Sequence, residues 1–184
     1  MAIQAKKQLF TVDDYYKMAE AGIIKPDDRV ELINGEIIRM SPIKSLHACM
    51  VDILGAELNF QLRGKAIIRV QNPIRIKPYS EPEPDVVITK FSKDRYRNHH
   101  PIPEDIYLVI EAADTTLRSD RTIKQRLYAE AGISEYWIIN LKAQQVEMYL
   151  QPIGNEYTIM KTAQITETIV CSTIPFELVL EELF

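Results

Sequence analysis

Two short apolar runs, each with one carboxylate at its end, constrain this chain most. Asp85 leads into Val86-Val87-Ile88, and Tyr107-Leu108-Val109-Ile110 leads into Glu111. Runs this short, without polar alternation, read as strands buried on both faces, so helices or a second layer must cover each side of their sheet. A buried carboxylate is costly unless it is paired, exposed at a strand end or bound to a cation. Strand-end exposure accounts for each acid taken singly. Two of them on neighbouring strands make a shared site an equal reading beside strand-end exposure.

The rest of the chain supplies that cover. Thr11 with Asp14 is a capping-box pattern, and Gly22 suits a helix stop, so the spacing predicts a helix over 12–21. Val30–Ile33, Asn34-Gly35 and Glu36–Met40 read as a hairpin on a type I′ turn. Ser45 is placed to cap a second helix with the stripe Leu46, Met50, Ile53, Leu54, Leu58, ending near Gly64. Ala66–Val70 and Pro73–Lys77 read as extended, and residues 90–105 as a polar loop. Asp120 is placed to cap a helix to Ala131, with Gly132 just beyond it. Strands are predicted at Tyr136–Leu141, Gln145–Leu150, Tyr157–Lys161 and Ile165–Val170, and a turn of helix after Pro175. The order predicts an α/β protein with a mixed β-sheet flanked by helices. No linker interrupts it, so 1–184 is expected to be one domain: 1–44 an N-terminal helix and hairpin elaboration, 45–150 the core, 151–184 a C-terminal β extension.

Composition narrows the function classes. With 46% hydrophobic residues in 184, there is material for a sizeable core. No run approaches the roughly 20 apolar residues of a membrane span, and the start, MAIQAKKQLF, has no apolar core or cleavage site of a secretory signal. A cytoplasmic protein with no membrane partner is expected. Cys49 and Cys171 lack metal-ligand spacing and read as small buried hydrophobes rather than a disulfide. No zinc signature, P-loop or dinucleotide fingerprint occurs. The net charge of −4 is unevenly spread: residues 127–184 carry eight acids against Lys142 and Lys161, whereas residues 1–126 carry 20 bases and 18 acids. The bases concentrate between Arg63 and Arg126, around the candidate site, which permits a phosphate-bearing partner.

Lys124 adds a third polar group. On its helix it shares a face with Asp120, Leu127, Tyr128 and Ala131, and therefore borders the stripe that packs on the sheet. A solvated lysine at the helix edge is the other reading. His99-His100 reads as part of a loop, His47 as a surface or capping residue that could also meet substrate, and Tyr136 and Trp137 as core. Arg118, Arg121 and Arg126 read as a solvated helix face or as backbone contacts to DNA.

The strings VELINGEIIRMSP, EPEPDVVI, YLVIEAADTTLRSDRTIKQRLYAEAGISEYWIINL and VEMYL resemble the Uma2 family. That is a group of restriction-type endonucleases in the PD-(D/E)XK nuclease superfamily, and the match runs in order from about Asp13 to Leu150. The resemblance implies a restriction-endonuclease-like core and a metal-dependent endonuclease. Pro84-Asp85 stands at the superfamily's PD and Glu111 at its (D/E). The lysine two residues past that acid is replaced by Ala113, and Lys124 takes its place from the helix. A small Ala113 on the same strand face as Glu111 leaves room for that entry. Glu31 matches a further acid that the family keeps, as a metal or water ligand or an exposed hairpin carboxylate.

Asp85, Glu111 and the Ala112 carbonyl are hard oxygen donors suited to Mg²⁺ or Mn²⁺. Catalytic roles then fall to Asp85, Glu111, Lys124 and Glu31, and the implied partner is nucleic acid, DNA before RNA, cut by a homodimer. The competing function is a binding module for nucleic acid or protein that keeps the fold without turnover. Like-charge crowding predicts that Asp85 and Glu111 raise each other's pKa.

Overall fold

The computed structural model describes residues 7–184; the first part of the stretch read as free of a secretory signal, up to Lys6, lies outside the described residues. The chain divides into two compact units, one of residues up to Pro42 with Arg75–Pro82, the other of Ile43–Ile74 with Glu83–Phe184.

The first unit holds α1 (Val12–Glu20), β1 (Val30–Ile33) and β2 (Glu36–Arg39). The capping box forms as its residues dictate: Asp14 N donates to Thr11 Oγ1 at 3.1 Å, and Thr11 N to Asp14 Oδ2 at 3.0 Å. The β1–β2 turn has positive φ at both Asn34 and Gly35, the type I′ geometry that matches strand twist. Residues 75–82 pack against this hairpin, with Glu81 N donating to Leu32 O at 2.8 Å. The extended Pro73–Lys77 segment forms no strand. Proline supplies no N–H to a ladder, and only an isolated Ile76–Ser80 bridge appears there.

The second unit begins with α2 (Ser45–Gln61) and continues through β3 (Ala66–Val70), β4 (Val86–Lys90) and β5 (Ile106–Ala113). One continuous helical stretch follows: α3 (Leu117–Ser119), a π-helical turn over Asp120–Lys124, and α4 (Gln125–Glu130). Then come β6 (Glu135–Asn140), β7 (Gln145–Ile153), β8 (Glu156–Gln164), β9 (Thr168–Val170) and β10 (Glu177–Val179). Strands β3 to β8 make one six-stranded sheet in chain order. Only β5 and β6 run parallel, joined across the α3–α4 helix; the result is a mixed sheet with helices on both faces.

Strand alternation sorts the two faces. Val86, Ile88, Leu108, Ile110, Trp137 and Ile139 meet Met50, Leu54 and Leu58 of α2, with Phe176 and Leu178 closing the same core. The opposite face carries Glu111 and Tyr136, and the Tyr128 ring of α4 sits edge-on to Tyr136 at 5.0 Å. Tyr136 and Trp137 are fully buried, as expected of core residues.

Several boundaries differ from expectation. Ser45 is the first residue of α2 rather than its cap, and Leu46 is exposed because it falls in the first turn, off the packed stripe. Asp120 caps nothing: its helix starts at Leu117 and Asp120 is buried inside the π turn. Cys171 is buried, but Cys49 is exposed on the outer side of α2. The segment after Pro175 first pairs as β10 with β9 before a 3₁₀ turn at Leu180–Glu182. Among the described residues no helix is long and apolar enough to cross a membrane.

Candidate active site

Asp85 stands one residue before β4, and Glu111 lies near the end of β5. The β4–β5 register pairs Val86 with Ile110, so one further step places Asp85 opposite Glu111 on the same face. Burial follows, at 9% exposure for Asp85 and 3% for Glu111.

Asp85 replaces backbone where the ladder stops. Ala112 N, which has no β4 residue left to pair with, donates to Asp85 Oδ2 at 2.9 Å, satisfying an amide that would otherwise be buried alone. Amide and carbonyl of one strand residue point the same way, so the Ala112 carbonyl also lies on Asp85's side. Asp85 N in turn makes a long contact of 3.4 Å to Glu111 Oε2. From the first turn of α2, His47 Nε2 reaches the same Asp85 Oδ2 at 3.0 Å.

Glu111 is held from the other face. Lys124 Nζ and the Tyr128 hydroxyl both donate to Glu111 Oε1 at 2.9 Å. Lys124 and Tyr128 are one turn apart, and Asp120 is one turn before Lys124, so a polar stripe D-x₃-K-x₃-Y faces the sheet. Lys124 is only 8% exposed, and Asp120 1%. The lysine's solvated reading is therefore excluded. A π turn ends at this residue, a distortion found often at functional positions.

The electrostatics differ from the crowding expected of two carboxylates. Burial by itself would raise the pKa of Asp85, but the His47 hydrogen bond and charge, the Ala112 amide and the Lys124 ammonium outweigh it. Asp85 is thus held below the usual aspartate value. Cationic and N–H partners, rather than the second carboxylate, dominate its surroundings.

The structure thus brings together Asp85, Glu111, Ala112 and Lys124. Glu31 lies on β1 of the first unit and is buried, so it is not the exposed hairpin carboxylate that is one of its two readings. Arg121 is engaged by Glu147, with its Nε 2.9 Å from Glu147 Oε2 and its Nη2 on Oε1; Arg118 and Arg126 are exposed. Three members of the site are read otherwise from sequence: His47 as a surface or capping residue that could also meet substrate, Tyr128 in packing and Asp120 at a cap. The four-residue spacing of Asp120, Lys124 and Tyr128 is a visible signal for two of them; nothing in sequence marks His47 as the partner of Asp85. Among the described residues no three or more His, Cys, Asp or Glu side chains form a metal cluster. A cation at this centre would rest on the two carboxylates, a backbone carbonyl and water.

A mixed sheet covered by helices, with a carboxylate pair where two central strands meet at one end, defines an α/β protein of nuclease-like fold. The fold is similar to that of a solved protein from Anabaena variabilis ATCC 29413, described as "a putative nuclease belonging to DUF820", with a TM-score of 0.74 and 16% identity over 95% of this chain and 97% of that one. The profile of the Uma2 family, described as "Putative restriction endonuclease", matches residues 12–181, and the chain belongs to that family. Among proteins with curated functions, none matches it.

Proposed function

We propose that the chain is a divalent-metal-dependent endonuclease that hydrolyses phosphodiester bonds, with DNA as substrate. The observation that carries this reading is the pairing of two buried carboxylates, Asp85 and Glu111, with a buried ammonium, Lys124, on the second of them. Family membership agrees with it.

The donor set fits a hard cation. The described hydrogen bonds to the Asp85 carboxylate fall on Oδ2, which leaves Oδ1 available beside Glu111 and the Ala112 carbonyl. Two carboxylates with water completing the shell is the usual habit of Mg²⁺, and Mn²⁺ accepts the same oxygens. When bound, such a cation supplies charge to the scissile phosphate and lowers the pKa of a water ligand.

The chain's own residues do the rest. His47 and the Ala112 amide fix the orientation of Asp85. Tyr128 fixes Glu111. Lys124 holds its ammonium beside Glu111, where it can stabilise negative charge growing on the phosphorane without reorganising. Two such centres in a homodimer would cut both strands of a duplex.

Plasmid nicking tests the reading. Nicked or linear product is expected with Mg²⁺, and none in EDTA or from Asp85→Ala. A folded wild type that binds DNA yet leaves the plasmid intact with Mg²⁺ and with Mn²⁺ would replace it with the binding-module function.

A further inference from the structure

Among the described residues strand β3 pairs only with β4, and it forms one edge of the six-stranded sheet. At one end of this edge, Gln71 N donates to Asp85 O at 2.9 Å. At the other, Ala66 pairs with Lys90, and bases collect around that end: Arg63 and Lys65 before β3, Lys90 at the end of β4, and Lys93, Arg95 and Arg97 in the loop after it. All six are exposed. None makes an ion pair with a described residue; of the acids nearby, Asp94 is hydrogen-bonded by Ser92 and the Tyr96 amide, and Asp105 accepts from Ile102 N.

Arg69 joins the two ends. It pairs with Val87, so it lies midway along the edge and on the same sheet face as Asp85. Its Nε is buried and has no hydrogen-bond partner among the described residues. A buried guanidinium nitrogen left without an acceptor is costly, and the part of this side chain that stays accessible gains from an anionic partner. The loop is shaped at this place too. Arg95 and Tyr96 both have positive φ, a strained conformation for residues other than glycine. Tyr96 folds back to donate to Lys90 O at 2.9 Å, which turns the neighbouring bases outward. Phe91 leaves a large ring exposed among them.

We propose that this edge is a phosphate track: Arg69, with Lys65, Lys90, Lys93 and Arg97, holds the backbone of the nucleic acid on one side of the scissile bond. The proposal rests on the nuclease reading for its polyanion. Strand β4 is five residues long, so the basic end lies about 16 Å from Asp85, roughly five nucleotide steps of a duplex. Bases at that distance serve any long substrate and no small one.

The test compares wild type with Lys65→Gln/Lys93→Gln/Arg97→Gln and, separately, with Arg69→Met, folding being checked by circular dichroism. Binding to a duplex of about 30 base pairs is read by anisotropy in metal-free buffer over a salt series, and hydrolysis of a small p-nitrophenyl phosphodiester with Mn²⁺ reports the site alone. The triple variant is expected to bind the duplex about tenfold more weakly near 0.1 M salt, with a salt slope lower by about 0.9 for each phosphate no longer neutralised. Its hydrolysis of the small diester is expected to be unchanged. Arg69→Met should lower the slope by the equivalent of about one phosphate. A triple variant with wild-type affinity and slope overturns the track while leaving the nuclease reading intact. A wild type that binds no nucleic acid overturns both.

Discussion

Lys124 Nζ lies 2.9 Å from Glu111 Oε1, and the Tyr128 hydroxyl donates to the same oxygen from one turn further along the helix. One carboxylate oxygen is thus pinned by two groups that leave the sheet and return to it across the α3–α4 connection.

Replacing Lys124 with Met keeps the apolar stem and removes the charge. Single-turnover cleavage is expected to fall by about 10²–10³-fold, the usual loss for one group that stabilises transition-state charge, and the melting temperature should fall as well, because the buried Glu111 carboxylate loses its cation. Ala113 is buried on the same strand face as Glu111. Adding Ala113→Lys to Lys124→Ala should therefore restore part of the cleavage that Lys124→Ala loses. Recovery will be incomplete, since a misplacement of about 1 Å costs on the order of 100-fold. A folded double variant no more active than Lys124→Ala would refute the shared position.

His47 holds Asp85 Oδ2 from α2. His47→Ala should weaken Mn²⁺ binding by roughly tenfold, the usual effect of removing a group that orients a metal ligand. His47→Asn, which keeps an N–H donor on a shorter side chain, should recover part of that affinity. Calorimetric titration decides between them; equal affinity in all three proteins would make His47 a bystander.

Glu147 and Arg121 set a pH dependence away from the site. Burial alone would raise the pKa of Glu147, but the Arg121 guanidinium and the Tyr149 hydroxyl hold it below its ordinary value of 4.5. A carboxylate with a depressed folded pKa adds stability above its unfolded value and loses it as pH falls through the folded one. Arg121→Met should cost about 1 kcal/mol near neutral pH, since Arg121 is partly exposed and its pairing is screened by solvent. The gap to wild type should narrow from about pH 4.5 downward. Melting temperatures of both proteins across that range are the check, and a gap that stays constant would contradict the assignment.

Gly35 tests the hairpin. Its φ is +77°, and a Cβ there would meet Leu9 Cβ at 2.6 Å. Gly35→Ala should destabilise the first unit by about 1–3 kcal/mol, combining left-handed strain with overpacking. Urea unfolding followed by fluorescence would show it, and a wild-type midpoint would count against the turn geometry.

Local chemistry made much of this protein readable from its sequence. The capping box at Thr11 and Asp14, the Asn34-Gly35 turn and the buried strands ending in Asp85 and Glu111 depend on neighbours a few residues apart, and periodicity and turn residues record such neighbours directly. Tertiary structure alone decided the rest. His47 and Asp85 are 38 residues apart and meet only because α2 packs across the sheet's far face with its first turn at the strand ends. The π turn that carries Asp120 and Lys124 into burial has no residue signature, since its hydrogen bonds are set by what the helix packs against. The depressed pKa of Asp85 reverses what two carboxylates would do alone, because His47, the Ala112 amide and Lys124 arrive from three separate elements. Residue types set which positions prefer burial or a turn; only the folded chain sets which charges share a low-dielectric space.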